Sequence, residues 1–153
     1  MKKIATAVLV LVMLFALCGC NTSDMPFNGD ITFHNISLTI PERFVRDTTE
    51  SGEDFWIFEN GGYKEYILLN RNDKTTDDVI GSFESYVAYM DENNIKSVRT
   101  TFMGQEATDT HYEMEGMDCH EMLFFYNDEF YSIALRGGSK ESFDEILATV
   151  KLL

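Results

Sequence analysis

The chain has 153 residues, with 12 Lys or Arg against 26 Asp or Glu, and its formal net charge at pH 7 is −14. So acidic a chain argues against nucleic acid as a partner, because contact with a phosphate backbone requires a basic surface. Aromatic residues make up 13% of the sequence, which argues against disorder and favours a domain with a packed core.

The N-terminus has the pattern of an export signal. Lys2 and Lys3 precede an uncharged, mostly apolar run from Ile4 to Leu17. This run is too short to span a bilayer, since a spanning helix needs about 20 apolar residues. The run ends in Leu17-Cys18-Gly19-Cys20. This resembles the bacterial lipobox, in which an aliphatic residue stands three positions before the lipidated Cys and a small residue stands immediately before it.

The lipobox resemblance implies that Cys20 carries a lipid. Cleavage before Cys20 would remove a signal peptide of residues 1–19, and the diacylglyceryl group on the thiol would hold the protein stably at a membrane. We therefore expect a lipoprotein anchored to the cell membrane and facing away from the cytoplasm. Residues 20–30 are polar and include Pro26 and Gly29, so they are predicted to form a flexible tether. An uncleaved apolar helix and an ordinary secretory signal are the alternatives.

Strand-like segments follow the tether. Ile31–His34 and Ile36–Ile40 are rich in β-branched residues, and Phe44-Val45 is a shorter extended piece. Asp54–Glu59 and Tyr63–Asn70 flank the turn Asn60-Gly61-Gly62. This arrangement is typical of a hairpin, because glycine readily adopts the positive φ angles of tight turns.

The apolar period becomes helical between Thr75 and Asn93, where the spaced residues are Val79, Phe83, Tyr86, Val87 and Met90. Thr76 is the predicted N-cap of this helix, and Asp77 and Asp78 suit the positive end of its dipole.

Four further strand-like segments are separated by turn residues: Ile95–Met103, Gln105–Met114, Met117–Tyr126 and Glu129–Arg136. Ser139 is the predicted cap of a final helix, whose apolar face is Phe143, Ile146, Leu147 and Val150. Runs of strands with two separate helices predict an α+β fold, an antiparallel β-sheet with helices packed on it. Residues 31–153 would form this single domain, preceded by the signal-peptide helix and the tether.

The order of these segments resembles the PsbP-like α/β sandwich superfamily. The resemblance spans nearly the whole predicted domain and rests on hydrophobic spacing and turns. The segments that carry it are residues 31–33, 38–41, 44–45, the helix near 76–93, residues 103–107 and 127–133, and the terminal helix. Members of this superfamily largely have scaffolding or interaction roles. The resemblance therefore implies a fold and no particular site, because a fold does not fix a function.

Catalytic and nucleotide-binding motifs are missing from the sequence. It has no G-x-S-x-G, H-E-x-x-H or S-x-x-K, no glycine-rich phosphate loop and no C-x-x-C. Cys119 is the one cysteine beyond Cys20, and we expect it to be a buried small hydrophobe, with a free thiol as the alternative. A nucleophile pair with adjacent His120 is disfavoured, because neighbouring strand residues point to opposite faces. The chain is predicted not to be an enzyme.

The segment 109–122, with the sequence DTHYEMEGMDCHEM, is the one local cluster of chemically versatile side chains. If Glu115-Gly116 forms a two-residue hairpin loop, His111 lies directly opposite His120, and Glu113 and Asp118 form the next pair on the same face. Imidazole and carboxylate groups so arranged are weak candidates for binding Zn²⁺ or Cu²⁺. A three- or four-residue loop would shift the register and separate the histidines.

Two functional hypotheses follow from these patterns. The leading one is a non-enzymatic, membrane-anchored domain that binds or scaffolds another component of the cell envelope and requires no cofactor. The alternative is a small-ligand or transition-metal-binding module that uses the 109–122 hairpin. A concave pocket with convergent polar groups would favour a ligand, whereas a large exposed apolar patch would favour a protein partner.

Overall fold

The computed structural model describes residues 29–47, 54–73, 83–93 and 95–153. These ranges contain ten strands and two helices. The strands are β1 (Gly29–Phe33), β2 (Ile36–Ile40), β3 (Val45–Asp47), β4 (Asp54–Asn60), β5 (Tyr63–Asp73), β6 (Ser97–Phe102), β7 (Gln105–Met114), β8 (Met117–Tyr126), β9 (Glu129–Arg136) and β10 (Lys151–Leu152). The helices are α1 (Phe83–Glu92) and α2 (Lys140–Leu147).

The strands form two antiparallel sheets. The larger sheet has seven strands in the order β3-β4-β5-β9-β8-β7-β6, and the smaller has the order β1-β2-β10. The predicted α+β class is confirmed in this form. The second sheet exists because the β1–β2 hairpin pairs with the C-terminal strand and leaves its apolar face to pack against the larger sheet.

Tight turns fix most strand ends. Gly61 and Gly62 join β4 to β5 with φ angles of 59° and 89°, as a two-residue hairpin turn requires. The predicted bounds of β7, β8 and β9 are confirmed at both ends. β6 is shorter than its predicted segment, because pairing with β7 begins at Ser97 and ends at Phe102.

The main core lies between the smaller sheet, α2 and one face of the larger sheet. Its largest enclosed side chains include Trp56 from β4, Phe124 from β8, Tyr131 from β9 and Phe143 from α2. Ser139 caps α2 as predicted, since its side chain accepts a hydrogen bond from the backbone N–H of Ser142 at 3.2 Å. The cap and the apolar face of α2 together fix where this helix lies on the sheet.

A second core lies on the opposite face of the larger sheet, beneath α1. Phe83, Tyr86 and Met90 of α1 pack there with Leu123 of β8 and Phe130 of β9. The predicted helical spacing is confirmed from residue 83 onward. Its predicted cap at Thr76 lies outside the described residues, as do the signal peptide, Cys20 and most of the tether.

The C-terminus departs from the expected terminal helix. The helix ends at Leu147, and Val150, although buried, lies beyond it. Lys151 and Leu152 then pair with Ser37 and Ile36 as β10. At the other end of the small sheet, β1 begins at Gly29, so that Gly29 and Asp30, assigned to the tether above, pair with Ile40 and Thr39 of β2. Pairing within a local hairpin extends β1, whereas pairing with a segment distant in sequence forms β10.

Candidate functional site

The hairpin of β7 and β8 places the histidines as the two-residue-loop hypothesis predicts. Glu115 and Gly116 form the loop with φ angles of 54° and 78°, so the alternative of a longer loop is wrong. His111 pairs with His120 in this register, and the next pair on the same face is Glu113 with Asp118.

The two imidazole rings stack on each other rather than pointing at a common centre. Their centroids are 4.6 Å apart and their planes differ by 9°. The other face of His120 stacks on Phe143 of α2 at 5.9 Å. His120 is 7% exposed, whereas the side chain of His111 is 59% exposed. The stack therefore runs from the surface into the main core.

A concavity of about 430 Å³ opens beside this stack. Residues of β6, β7 and β8 line it, together with the first residue of α2. The lining residues are Lys96, Val98, Asp109, His111, His120 and Lys140. The volume falls within the range of about 300–1,000 Å³ that is typical of small-molecule sites.

His120 is the unusual member of this lining. The Nδ1 atom of its ring is fully enclosed and has no hydrogen-bond partner among the described residues. Burial lowers the pKa of His120, and the nearby His111 and Lys140 lower it further. His120 is therefore neutral at pH 7, with one N–H donor and one acceptor nitrogen. Buried polar groups are rarely left unpaired, because each costs about 1–3 kcal/mol.

The four weak metal candidates do not assemble into a ligand set. Asp118 Oδ1 lies 3.4 Å from His111 Nε2, and Glu113 is exposed at the end of the hairpin. The parts of the chain that the structure describes contain no group of three or more His, Cys, Asp or Glu able to hold a metal ion. Because the two histidine rings are stacked, the lone pairs of their nitrogens lie in parallel planes. A shared zinc ion needs those lone pairs to point at one centre, with zinc–nitrogen distances of about 2.0–2.1 Å.

Cys119 lies on the other face of β8 and is fully buried, as expected. Its thiol contacts the backbone oxygen of Met117 at 3.5 Å, and burial raises its pKa. A thiol with a raised pKa stays protonated and is a poor nucleophile. Cys119 therefore belongs to the packing of the sheet.

Sequence reasoning missed a polar cluster on the α1 side of the larger sheet. Glu121 of β8 lies there and accepts a hydrogen bond from Ser132 of β9, while the hydroxyl of Tyr112 lies 3.5 Å from its other oxygen. The signal was available in the alternation of β8, since Glu121 shares a face with Leu123, which packs beneath α1.

No protein-family model matches the chain, and no curated protein matches it. Solved structures do match. The solution structure of cyanobacterial PsbP (CyanoP) from Synechocystis sp. PCC 6803 has a TM-score of 0.56 and 10% sequence identity, with 88% of this chain and 98% of that chain covered. A crystal structure from Bacteroides thetaiotaomicron has a TM-score of 0.52 and 13% identity. The match covers 84% of this chain and 49% of the Bacteroides chain, so the chain spans about half that protein's length.

These similarities show the fold alone and do not extend to function, because both sequence identities are low. The described residues adopt a PsbP-like α+β fold, as the order of segments in the sequence predicts. Among those residues, neither helix has the length and apolar character that crossing a membrane requires.

Proposed function

We propose that the chain is a lipid-anchored domain of the bacterial cell envelope that acts by binding and not by catalysis. The lipobox at Cys20 supports the anchor, and the PsbP-like fold supports a non-enzymatic role by analogy alone. The observation that carries the binding role is His120, a buried ring beside a concavity whose Nδ1 atom has no hydrogen-bond partner among the described residues.

The concavity favours a small ligand over a large protein partner. Polar side chains from β7, β8 and α2 converge there with Lys96, which directly precedes β6, as in small-molecule sites. The exposed large hydrophobic residues, in contrast, are spread over different segments of the described chain: Val45, Tyr63, Tyr89, Val98, Met103, Met114 and Leu153. Single exposed apolar residues are normal on a protein surface.

The anchor is tested by substituting its cysteine. Wild-type protein is expected in the membrane fraction with the added mass of a diacylglyceryl group, and Cys20→Ala is expected to lose that mass. Cys18→Ala is the matched control, because Leu17 and Gly19 still define the lipobox around Cys20. Intact-mass spectrometry and fractionation report both effects. A Cys20→Ala protein with unchanged mass and membrane attachment would contradict the proposal.

The binding role is tested on the full-length protein in detergent micelles. Histidine ring NMR signals are recorded during a screen of small-molecule mixtures, and binders are expected to shift His111 and His120. His34 is an internal control, because it lies in the turn between β1 and β2, away from the concavity. A broad screen that leaves both site histidines unmoved would remove the support for a small ligand, and partner crosslinking in the native envelope would then test the scaffolding role.

A further inference from the structure

The charges around the concavity differ from those of the chain as a whole. The chain has a net charge of −14, yet the lining holds Lys96 and Lys140 against one carboxylate, Asp109. His120 adds no charge at pH 7. Two of the six lining residues are lysines, so the concavity presents cations on a chain that is acidic as a whole, and an anion can pair with one of them there.

The two lysines are not equivalent. Lys140 Nζ pairs with Asp109 Oδ2 at 3.5 Å and also with Asp144 on the next turn of α2. Lys96 makes no ion pair with any residue that the structure describes, although it lines the same concavity. Its ammonium group is therefore the charge available to a ligand.

The remainder of the lining suits an apolar, flat ligand body. Val98 is 54% exposed, and it projects from the same face of the sheet as Asp109, its cross-strand partner. The stacked rings of His111 and His120 stand beside it. Aromatic and aliphatic surfaces of this kind hold planar apolar groups, and the imidazole of His120, which lines the concavity, can supply a hydrogen bond that fixes their orientation.

We propose that the concavity binds a small organic anion, in which a carboxylate pairs with Lys96 and a flat apolar body lies between Val98 and the histidine stack. This rests on the proposed binding function and adds the chemical class of the ligand. The buried ring of His120, with its Nδ1 atom unpaired among the described residues, is the independent observation that points to a ligand at this position.

The test compares three probes of similar size on the full-length protein in micelles: benzoate, benzyl alcohol and benzylamine. Benzoate is expected to shift the ring signals of His111 and His120 at lower concentration than benzyl alcohol, and benzylamine is expected to shift them least. The ring of His34 should respond to none of them.

Two variants assign the contacts. Lys96→Gln is expected to weaken the binding of benzoate about two- to fivefold, since an exposed ion pair contributes modestly to affinity. The binding of benzyl alcohol should stay unchanged. Lys151→Gln is the matched control, an exposed lysine on β10 outside the concavity. His120→Phe keeps a ring in the stack but removes both nitrogens, and it is expected to weaken the binding of benzoate about tenfold.

The outcomes separate the two proposals. Equal binding of benzoate and benzylamine, or an unchanged benzoate affinity in Lys96→Gln, would overturn the anion assignment while leaving a binding site in place. Failure of all three probes to move His111 and His120 would overturn the anion assignment as well, and the broader screen described above would then decide the binding function.

Discussion

Glu121 shows how one residue can make stability depend on pH. Burial raises the pKa of this carboxyl, while the hydrogen bond from Ser132 and the charge of Arg136 act in the opposite direction. Burial raises the pKa values of Tyr112 and Tyr86, and the nearby charge of Glu121 raises both further. The pKa of Tyr112 is raised to about 12. The ionised form of Glu121 is therefore a cost that the folded state carries at neutral pH.

The sign of this effect gives a prediction. A carboxyl whose folded pKa is raised stabilises the fold fully below its unfolded pKa, near 4.5, and that stabilisation is lost as pH rises through the folded pKa. Glu121→Gln keeps the hydrogen-bonding capacity and removes the charge. We expect the free energy of unfolding at pH 7 to rise by an amount on the order of 1 kcal/mol.

Urea unfolding at a series of pH values measures this change. Glu113→Gln is the control, because Glu113 is an exposed carboxylate on neighbouring β7 and its replacement should change stability by less than about 0.5 kcal/mol. An identical pH dependence in wild type and Glu121→Gln would show that the cluster accommodates the charge without cost.

At the scale of elements, the turns determine how the strands meet. Gly116 closes the β7–β8 hairpin and Gly137 follows β9, with φ angles of 78° and 77°. Gly137 is also held by contacts, since its N–H donates to Asp118 O at 2.7 Å and its carbonyl accepts from Tyr63 Oη at 2.7 Å. It thus joins the ends of three elements at one point.

Substituting the two glycines allows the cost of backbone strain to be measured separately from the cost of steric crowding. A Cβ added at Gly137 would lie 2.3 Å from the carbonyl oxygen of Lys64, whereas one added at Gly116 would meet nothing within 4 Å. Gly116→Ala should therefore cost only the left-handed strain of about 1–2 kcal/mol. Gly137→Ala should cost about 1–3 kcal/mol more, because the backbone must also move.

Equilibrium unfolding of the two variants, measured side by side, gives this difference directly. Equal losses in Gly116→Ala and Gly137→Ala would mean that the chain after β9 moves away from Lys64 without resistance, and that the hydrogen bonds of Gly137 do not hold it in place.

At the scale of the whole molecule, the seven-stranded sheet contributes to two hydrophobic cores, one on each of its faces. α1 covers one face of the seven-stranded sheet, and the smaller sheet with α2 covers the other. The end of the chain closes the main core, since Leu153 N–H donates to Asn35 O at 2.9 Å and Tyr126 Oη donates to Leu153 O at 2.8 Å. The candidate site lies beside the start of α2, where Lys140 and residues of β6, β7 and β8 line the same concavity, so the position of α2 contributes to its shape.

The sequence by itself determined the features that local interactions control. Turn residues and period-two alternation gave the bounds of β7, β8 and β9 and the His111–His120 register, because a two-residue loop with positive φ angles permits one pairing. The cap at Ser139 likewise depends on a contact within one turn of helix. The sequence also contains Leu17-Cys18-Gly19-Cys20, which resembles a lipobox, and the lipidation of Cys20 stays a prediction.

Only the tertiary structure decided which distant residues share a surface. Lys96 and Lys140 are far apart in the chain and meet at one concavity because α2 lies against β7 and β8, where Lys140 pairs with Asp109 and Phe143 stacks on His120. The burial of His120 depends on Phe143 of that same helix, and β10 exists because β2 offers it an edge. Such contacts depend on how helices and sheets pack, and neither hydrophobic period nor turn chemistry encodes which face of one element meets which face of another.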